Sequence, residues 1–182
     1  TVLRPEEQLA KAGSIGKESM GTDCIKLLAG NGAEVPAGQV GELYSRGPIL
    51  FDGYYKLPEK TAASFKGEWF SAGDMAKKDN DGYYYLVDRK DNMIITGGEH
   101  VYPSEVEEVI TRHPAVFEVA VIGVPDSKWG EAVKAIIVLK PDAKATENDI
   151  MEFCRDKMTG YKKPKGVDFV KATRYRLGGG VS

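Results

Sequence analysis

Cysteine and histidine are each present only twice in this 182-residue chain, and each scarcity removes a class of function. Cys24 and Cys154 stand far apart with no partner motif, which excludes a disulfide scaffold and predicts reduced, mostly buried thiols in a cytoplasmic protein. His100 and His113 share no ligand spacing with them, so no metal site is expected. A long apolar run is also lacking. The longest, Val116 to Val124, is broken by Glu118 and falls far below the ~20 residues that span a bilayer, so no membrane span is expected. The opening Thr1-Val2-Leu3-Arg4-Pro5-Glu6-Glu7 lacks the basic-then-apolar order of a signal peptide. Nor does one sign of charge dominate. With 25 basic and 27 acidic residues the net charge is −2, which argues against a surface coated for nucleic acid. What is present, 42% hydrophobic and 29% charged residues, is an ordinary globular composition with length for one domain or two small ones.

Charge is unevenly spread. Residues 1–88 carry 10 basic and 13 acidic side chains, and residues 89–182 carry 15 and 14. Between Tyr161 and Arg176, Lys162, Lys163, Lys165, Lys171, Arg174 and Arg176 face only Asp168. The first part alternates β-forming runs with glycine turns: Thr22–Leu28, Val40–Ser45, Trp69–Ser71 and Tyr83–Val87. The second begins with a helix signalled by Pro103, by Glu105, Glu107 and Glu108, and by a face of Val106, Val109, Ile110 and His113, stopped at Pro114. Strands over Val116–Val124 and Ala132–Leu139 follow. A second helix starts at Thr146 with Asp149 three residues on, shows one face of Ile150, Cys154 and Met158, and closes at Gly160. A last strand covers Val167–Val170. The predicted class is α+β: a small β-rich unit (1–88), a charged joint (89–91) and a compact α+β unit (92–182).

Four clusters could carry chemistry. In Trp69-Phe70-Ser71-Ala72-Gly73-Asp74, a carboxylate closing an aromatic run can accept both hydroxyls of a ribose diol; it can equally be a solvated turn residue. Gly82 through Asp91 runs a strand into dense charge, which suits a hinge or a plain solvated linker. Ile94-Ile95-Thr96-Gly97-Gly98 is a strand ending in paired glycines ahead of a helix. Such glycines either admit a ligand close to the backbone or simply make a turn. Tyr161-Lys162-Lys163-Pro164-Lys165, with Trp129 on another connection, combines cations and aromatics that could hold a nucleotide or form an ordinary basic face.

Taken in order, these segments resemble the adenylate-forming superfamily, and within it the acyl-CoA synthetases. Gly41-Glu42-Leu43-Tyr44-Ser45-Arg46-Gly47-Pro48 with Gly53-Tyr54-Tyr55 is similar to the family's GEL-x-x-RG-P … GYY segment. Gly67 through Asp74 resembles GW-x-x-TGD, and Gly82 through Glu107 resembles GY … GR-x-D-x-x-I … GG-E-x-x-x-P-x-E-I-E. The resemblance covers about residues 12–170 and implies roles position by position. Asp74 and Arg89 match residues that bind the ribose and phosphate of ATP or AMP. Asp91 matches the hinge about which a small C-terminal domain turns between two half-reactions. In the first, a carboxylate and Mg·ATP give an acyl-adenylate; in the second, CoA gives the acyl thioester and AMP. Gly97 and Gly98 match the pantetheine passage. Trp129 and Tyr161 resemble aromatics near the CoA adenine, and Lys163 and Lys165 could meet its phosphates.

The pattern also fails in places. The family's phosphate loop and Tyr-Gly-x-Thr-Glu segment do not occur, so the Mg²⁺ site is expected outside this chain. After the last strand, L-P-R-T-x-x-G-K is replaced by Lys171-Ala172-Thr173-Arg174-Tyr175-Arg176-Leu177-Gly178-Gly179-Gly180, without the adenylating lysine. No catalytic residue is therefore assigned. The chain is expected to be a C-terminal fragment of an acyl-CoA ligase for a fatty or aryl acid, and to be inactive alone in ATP–pyrophosphate exchange. Two other readings stay open: a non-catalytic nucleotide or CoA binding module, and an adenylation domain of another branch. A nucleic-acid binder built on the 161–176 patch is disfavoured by the acidic remainder.

Overall fold

Short β-forming runs separated by glycine turns build the first sheet in the computed structural model, which describes residues 1–19 and 23–171. Its elements are β1 (Ile25–Leu28), β2 (Val40–Ser45), α1 (Pro58–Ser64), β3 (Phe65–Lys66), β4 (Trp69–Phe70), β5 (Asp74–Lys78) and β6 (Tyr84–Arg89). The strands lie in the order β3-β4-β2-β5-β6, with β1 also paired to β2. Every pairing is antiparallel, and the register sets Leu27 opposite Leu43, Glu42 opposite Met75 and Asp74 opposite Arg89. Leu27, Ala76 and Tyr84 form the buried centre, with Ile15, Val35 and Leu43 packed around it. The apolar side chains of alternating positions thus collect on one face, as a half-buried strand requires.

The second sheet is built from β7 (Ile94–Thr96), β8 (Glu99–Val101), β9 (Val116–Asp126), β10 (Gly130–Leu139) and β11 (Gly166–Phe169), with α2 (Pro103–Thr111) and α3 (Glu147–Cys154) between them. Its order is β11-β10-β7-β8, and β9 forms a long hairpin with β10. β10 and β11 run parallel. A parallel neighbour cannot be reached by a tight turn, so the chain crosses over through α3. Val106 and Ile110 of α2, Ile150 and Cys154 of α3, and Val133 and Ile137 of β10 meet in one continuous core. The fold class is α+β, and the chain divides after Asp91 into two compact units.

Several expectations need correction. Asp74 does not close a β run but opens β5, because Ser71 to Gly73 turn the chain into a new strand. Neither β5 nor α1 was expected. Gly97 and Gly98 do not simply precede a helix: they join β7 to β8, and φ of +60° and +86° is the conformation of a two-residue hairpin turn. α3 ends at Cys154, earlier than the expected closure at Gly160, as the chain tightens into a turn in which Lys157 N–H donates to the Cys154 carbonyl. Met158 still packs on the core, from that turn rather than from the helix. Cys154 is fully buried, whereas Cys24 is only half-buried. Thr22, at the start of the first expected strand, lies outside the described residues, as do Arg174, Arg176 and Gly178–Gly180. No helix among the described residues is long and apolar enough to cross a membrane.

Candidate functional site

In the first unit the expected residues gather at the turn between β4 and β5 and at the facing end of β6. Gly73 takes φ +84°, a conformation that favours glycine. Its N–H donates to Ser71 Oγ at 3.0 Å, and its carbonyl accepts the Lys90 N–H at 2.7 Å. The Arg89 guanidinium reaches back across the same turn, donating from Nη2 to the Ala72 carbonyl at 2.8 Å. Asp74 and Arg89 are therefore partners in the β5–β6 ladder, at the rim of the sheet. A carboxylate and a guanidinium so paired offer two acceptor oxygens and a fork of donors, the complement of a diol beside a phosphate ester.

Sequence reasoning gave no role to the groups beneath this turn. Glu42, on β2, accepts the Ser71 hydroxyl on Oε1 at 2.8 Å and pairs with the Lys90 ammonium through Oε2 at 2.9 Å. Burial pushes the Glu42 carboxyl up, but the hydrogen bonds from Lys90 and Ser71 and the charge of Lys90 outweigh it and hold the group below the usual carboxylate range. Ser71 is itself buried. One signal was readable: Glu42 is a lone charge inside an otherwise apolar strand, Val40-Gly41-Glu42-Leu43-Tyr44. Asp91 falls in the short 3₁₀ turn Lys90–Asn92 that follows β6, and is exposed.

In the second unit the structure joins Gly97, Trp129 and Lys165. The Gly97 N–H donates to the Trp129 carbonyl at 2.8 Å. A Cβ at Gly97 would lie 2.7 Å from Cε3 of the indole, so the ring occupies the space that the missing side chain leaves. Gly98 has no neighbour within 4 Å of a notional Cβ, and its glycine answers to the turn alone. The Trp129 loop is tied by Asp126, whose Oδ1 accepts the N–H groups of Lys128 and Trp129, each at 2.9 Å. Those backbone bonds, with Lys165 and Lys128 nearby, hold the Asp126 carboxyl below its ordinary range against a smaller opposing effect of burial. The ammonium groups of Lys128 and Lys165 each stand 4.7 Å from the indole centre. Trp129 is still 42% exposed, so ring surface is left on which a planar group can stack.

Tyr161 and Lys163 are placed by the 3₁₀ turn Gly160–Lys162 that precedes β11. Tyr161 is exposed. The charge of Lys163 is felt at the Cys154 thiol, where burial dominates and pushes the thiol up. The basic stretch is less open than its composition suggests. Lys162 is paired with Glu105 at 2.8 Å, and Asp168 is taken by Lys134 at 2.8 Å.

Comparison with known proteins shows the family to which the chain is similar. The family model described as the AMP-binding enzyme C-terminal domain matches residues 105–175. A medium/long-chain-fatty-acid–CoA ligase, FadD8, of Mycobacterium tuberculosis is 46% identical over 142 residues, 78% of this chain and 25% of its own. A feruloyl-CoA synthase of an Amycolatopsis species is 43% identical over 159 residues, 87% of this chain and 32% of its own. Among solved structures, ATP-bound MatB from Rhodopseudomonas palustris aligns with a TM-score of 0.82 at 35% identity, covering 91% of this chain and 33% of that one. The chain thus spans about a quarter to a third of the length of these relatives. It belongs to the adenylate-forming, AMP-binding superfamily, in the branch of the acyl-CoA ligases.

Proposed function

We propose that this chain is the nucleotide-rim and CoA-facing part of an ATP-dependent acyl-CoA ligase, which converts a carboxylic acid, ATP and CoA to acyl-CoA, AMP and pyrophosphate through an acyl-adenylate. The observation that carries the reading is the pairing of Asp74 with Arg89 at the glycine turn. Asp74 binds the ribose hydroxyls and Arg89 neutralises the neighbouring phosphate ester, so AMP is held by its sugar and phosphate while the acyl group reacts. No residue of the chain is assigned a catalytic role, and Mg²⁺ belongs with residues outside it. Asp91 serves as the pivot: Arg89 and Lys90 are tied to the first sheet, so rotation is left to the torsions that follow them. In the second unit the hairpin glycines lie along the pantetheine arm. Trp129, with Tyr161, Lys163 and Lys165, receives the CoA nucleotide by stacking and charge. Fatty and aryl acids both fit this reading, since a fatty-acid ligase and a feruloyl-CoA synthase are among the relatives.

The test is a pair of amide NMR titrations of the chain. AMP is expected to give saturable shifts at Gly73, Asp74 and Arg89 that disappear in Asp74→Ala. CoA is expected to move Gly97 and the Trp129 indole N–H, an effect lost in Trp129→Ala. Shifts that ignore these substitutions would overturn the assignment.

A further inference from the structure

Two separate attachments converge on one side chain beneath the nucleotide rim. Glu42 uses one carboxylate oxygen for the Ser71 hydroxyl and the other for the Lys90 ammonium, at 2.8 and 2.9 Å. Ser71 passes the hold onward, its Oγ accepting the Gly73 N–H at 3.0 Å, one residue before Asp74. Lys90 follows Arg89 directly, and its N–H donates to the Gly73 carbonyl at 2.7 Å. The two segments that carry the rim residues are thus gripped by the same carboxylate, from a third strand that contributes nothing to the rim itself. The Glu42 side chain is only 15% exposed, while Lys90 is 53% exposed, so the pair has a sheltered anchor and an accessible end.

We propose that Glu42 is a positioning residue that sets the spacing of Asp74 and Arg89. The assignment rests on the nucleotide reading of those two residues. Ordinary strand pairing fixes the backbone of β5 against β6, yet the ladder is irregular just inside the rim, between Met75 and Ala76. Only two pairs, Asp74–Arg89 and Met75–Asp88, lie on the rim side of that shift, so the 71–74 turn and the 89–90 end gain from a further tie. Glu42 supplies it, and two residues further along β2 the buried Tyr44 ring carries the Lys66 ammonium 4.9 Å from its centre. An ionised, hydrogen-bonded carboxylate suits this role because charge-assisted bonds are short and directional.

The experiment compares amide hydrogen exchange and AMP affinity in the whole chain for the native sequence, Glu42→Gln, Glu42→Asp, Lys90→Met and Asp74→Ala. Exchange at Gly73 and Lys90 is expected to rise about tenfold in Glu42→Gln and in Lys90→Met, with the β1–β2 ladder and the second sheet unchanged. Glu42→Asp should recover part of the protection. AMP binding should weaken about five- to tenfold in Glu42→Gln, in the direction of Asp74→Ala. Unchanged exchange at Gly73 and Lys90 in both variants overturns the proposal, as does AMP affinity that falls in Asp74→Ala but not in Glu42→Gln. Should Glu42→Gln loosen the entire sheet, Lys90→Met decides the matter from the exposed end. Affinity indifferent to Asp74→Ala would instead count against the nucleotide reading, leaving the exchange result to judge the tie.

Discussion

Gly97 shows how one missing side chain can serve two demands at once. Its φ of +60° is needed by the hairpin turn, and its empty Cβ position is filled by the Trp129 ring. Gly98 meets only the first demand. The two substitutions should therefore differ. Gly98→Ala is expected to cost about 1–2 kcal/mol from the left-handed backbone alone. Gly97→Ala should cost more and also displace the indole. With Trp69 replaced by Phe, emission of the remaining tryptophan reports this directly: a shifted spectrum is expected for Gly97→Ala and an unshifted one for Gly98→Ala. Equal spectra would mean that the ring does not depend on the absence of a Cβ.

At the scale of elements, α3 is the clearest case of local chemistry deciding a boundary. Thr146 and Asp149 cap it reciprocally: the Thr146 N–H donates to Asp149 Oδ2 at 2.8 Å and the Asp149 N–H donates to Thr146 Oγ1 at 3.3 Å. Thr146→Ala is expected to lower the stability of the second unit by about 1 kcal/mol, measured as a reduced urea midpoint with an unchanged slope. Such signals made α2, the start of α3, β2 and the strands β9 and β10 legible in the sequence, because periodicity, proline and capping residues all act within a few positions. What was not legible depended on distant partners. β5 could not be read from Asp74-Met75-Ala76-Lys77-Lys78, whose pattern makes sense only between β2 and β6. α1 carried its own start signal in Pro58 and Glu59, which the aromatic segments around it obscured. The position of Asp74 and Arg89 was recognisable by motif, but the register that sets them opposite each other was not. Glu42 is the extreme instance, since its partners lie 29 and 48 residues away.

For the molecule as a whole, the two sheets draw their strands from separate stretches of chain. The first uses residues between Ile25 and Arg89, the second residues between Ile94 and Phe169. Their cores are likewise distinct, one centred on Leu27, Ala76 and Tyr84, the other on the larger set around Ile110, Ile137 and Ile150. Residues 92–182 expressed alone are expected to fold, with a cooperative thermal transition and dispersed methyl NMR signals. Failure to give either would show that the second core needs the first. The division at Asp91–Asn92 severs one peptide bond and, among the described residues, no strand pairing, which gives the second unit the character of a cassette. Exchanging it among relatives at that bond would carry Trp129, Lys128 and Lys165 across together, so the CoA contacts proposed for them would travel with the unit.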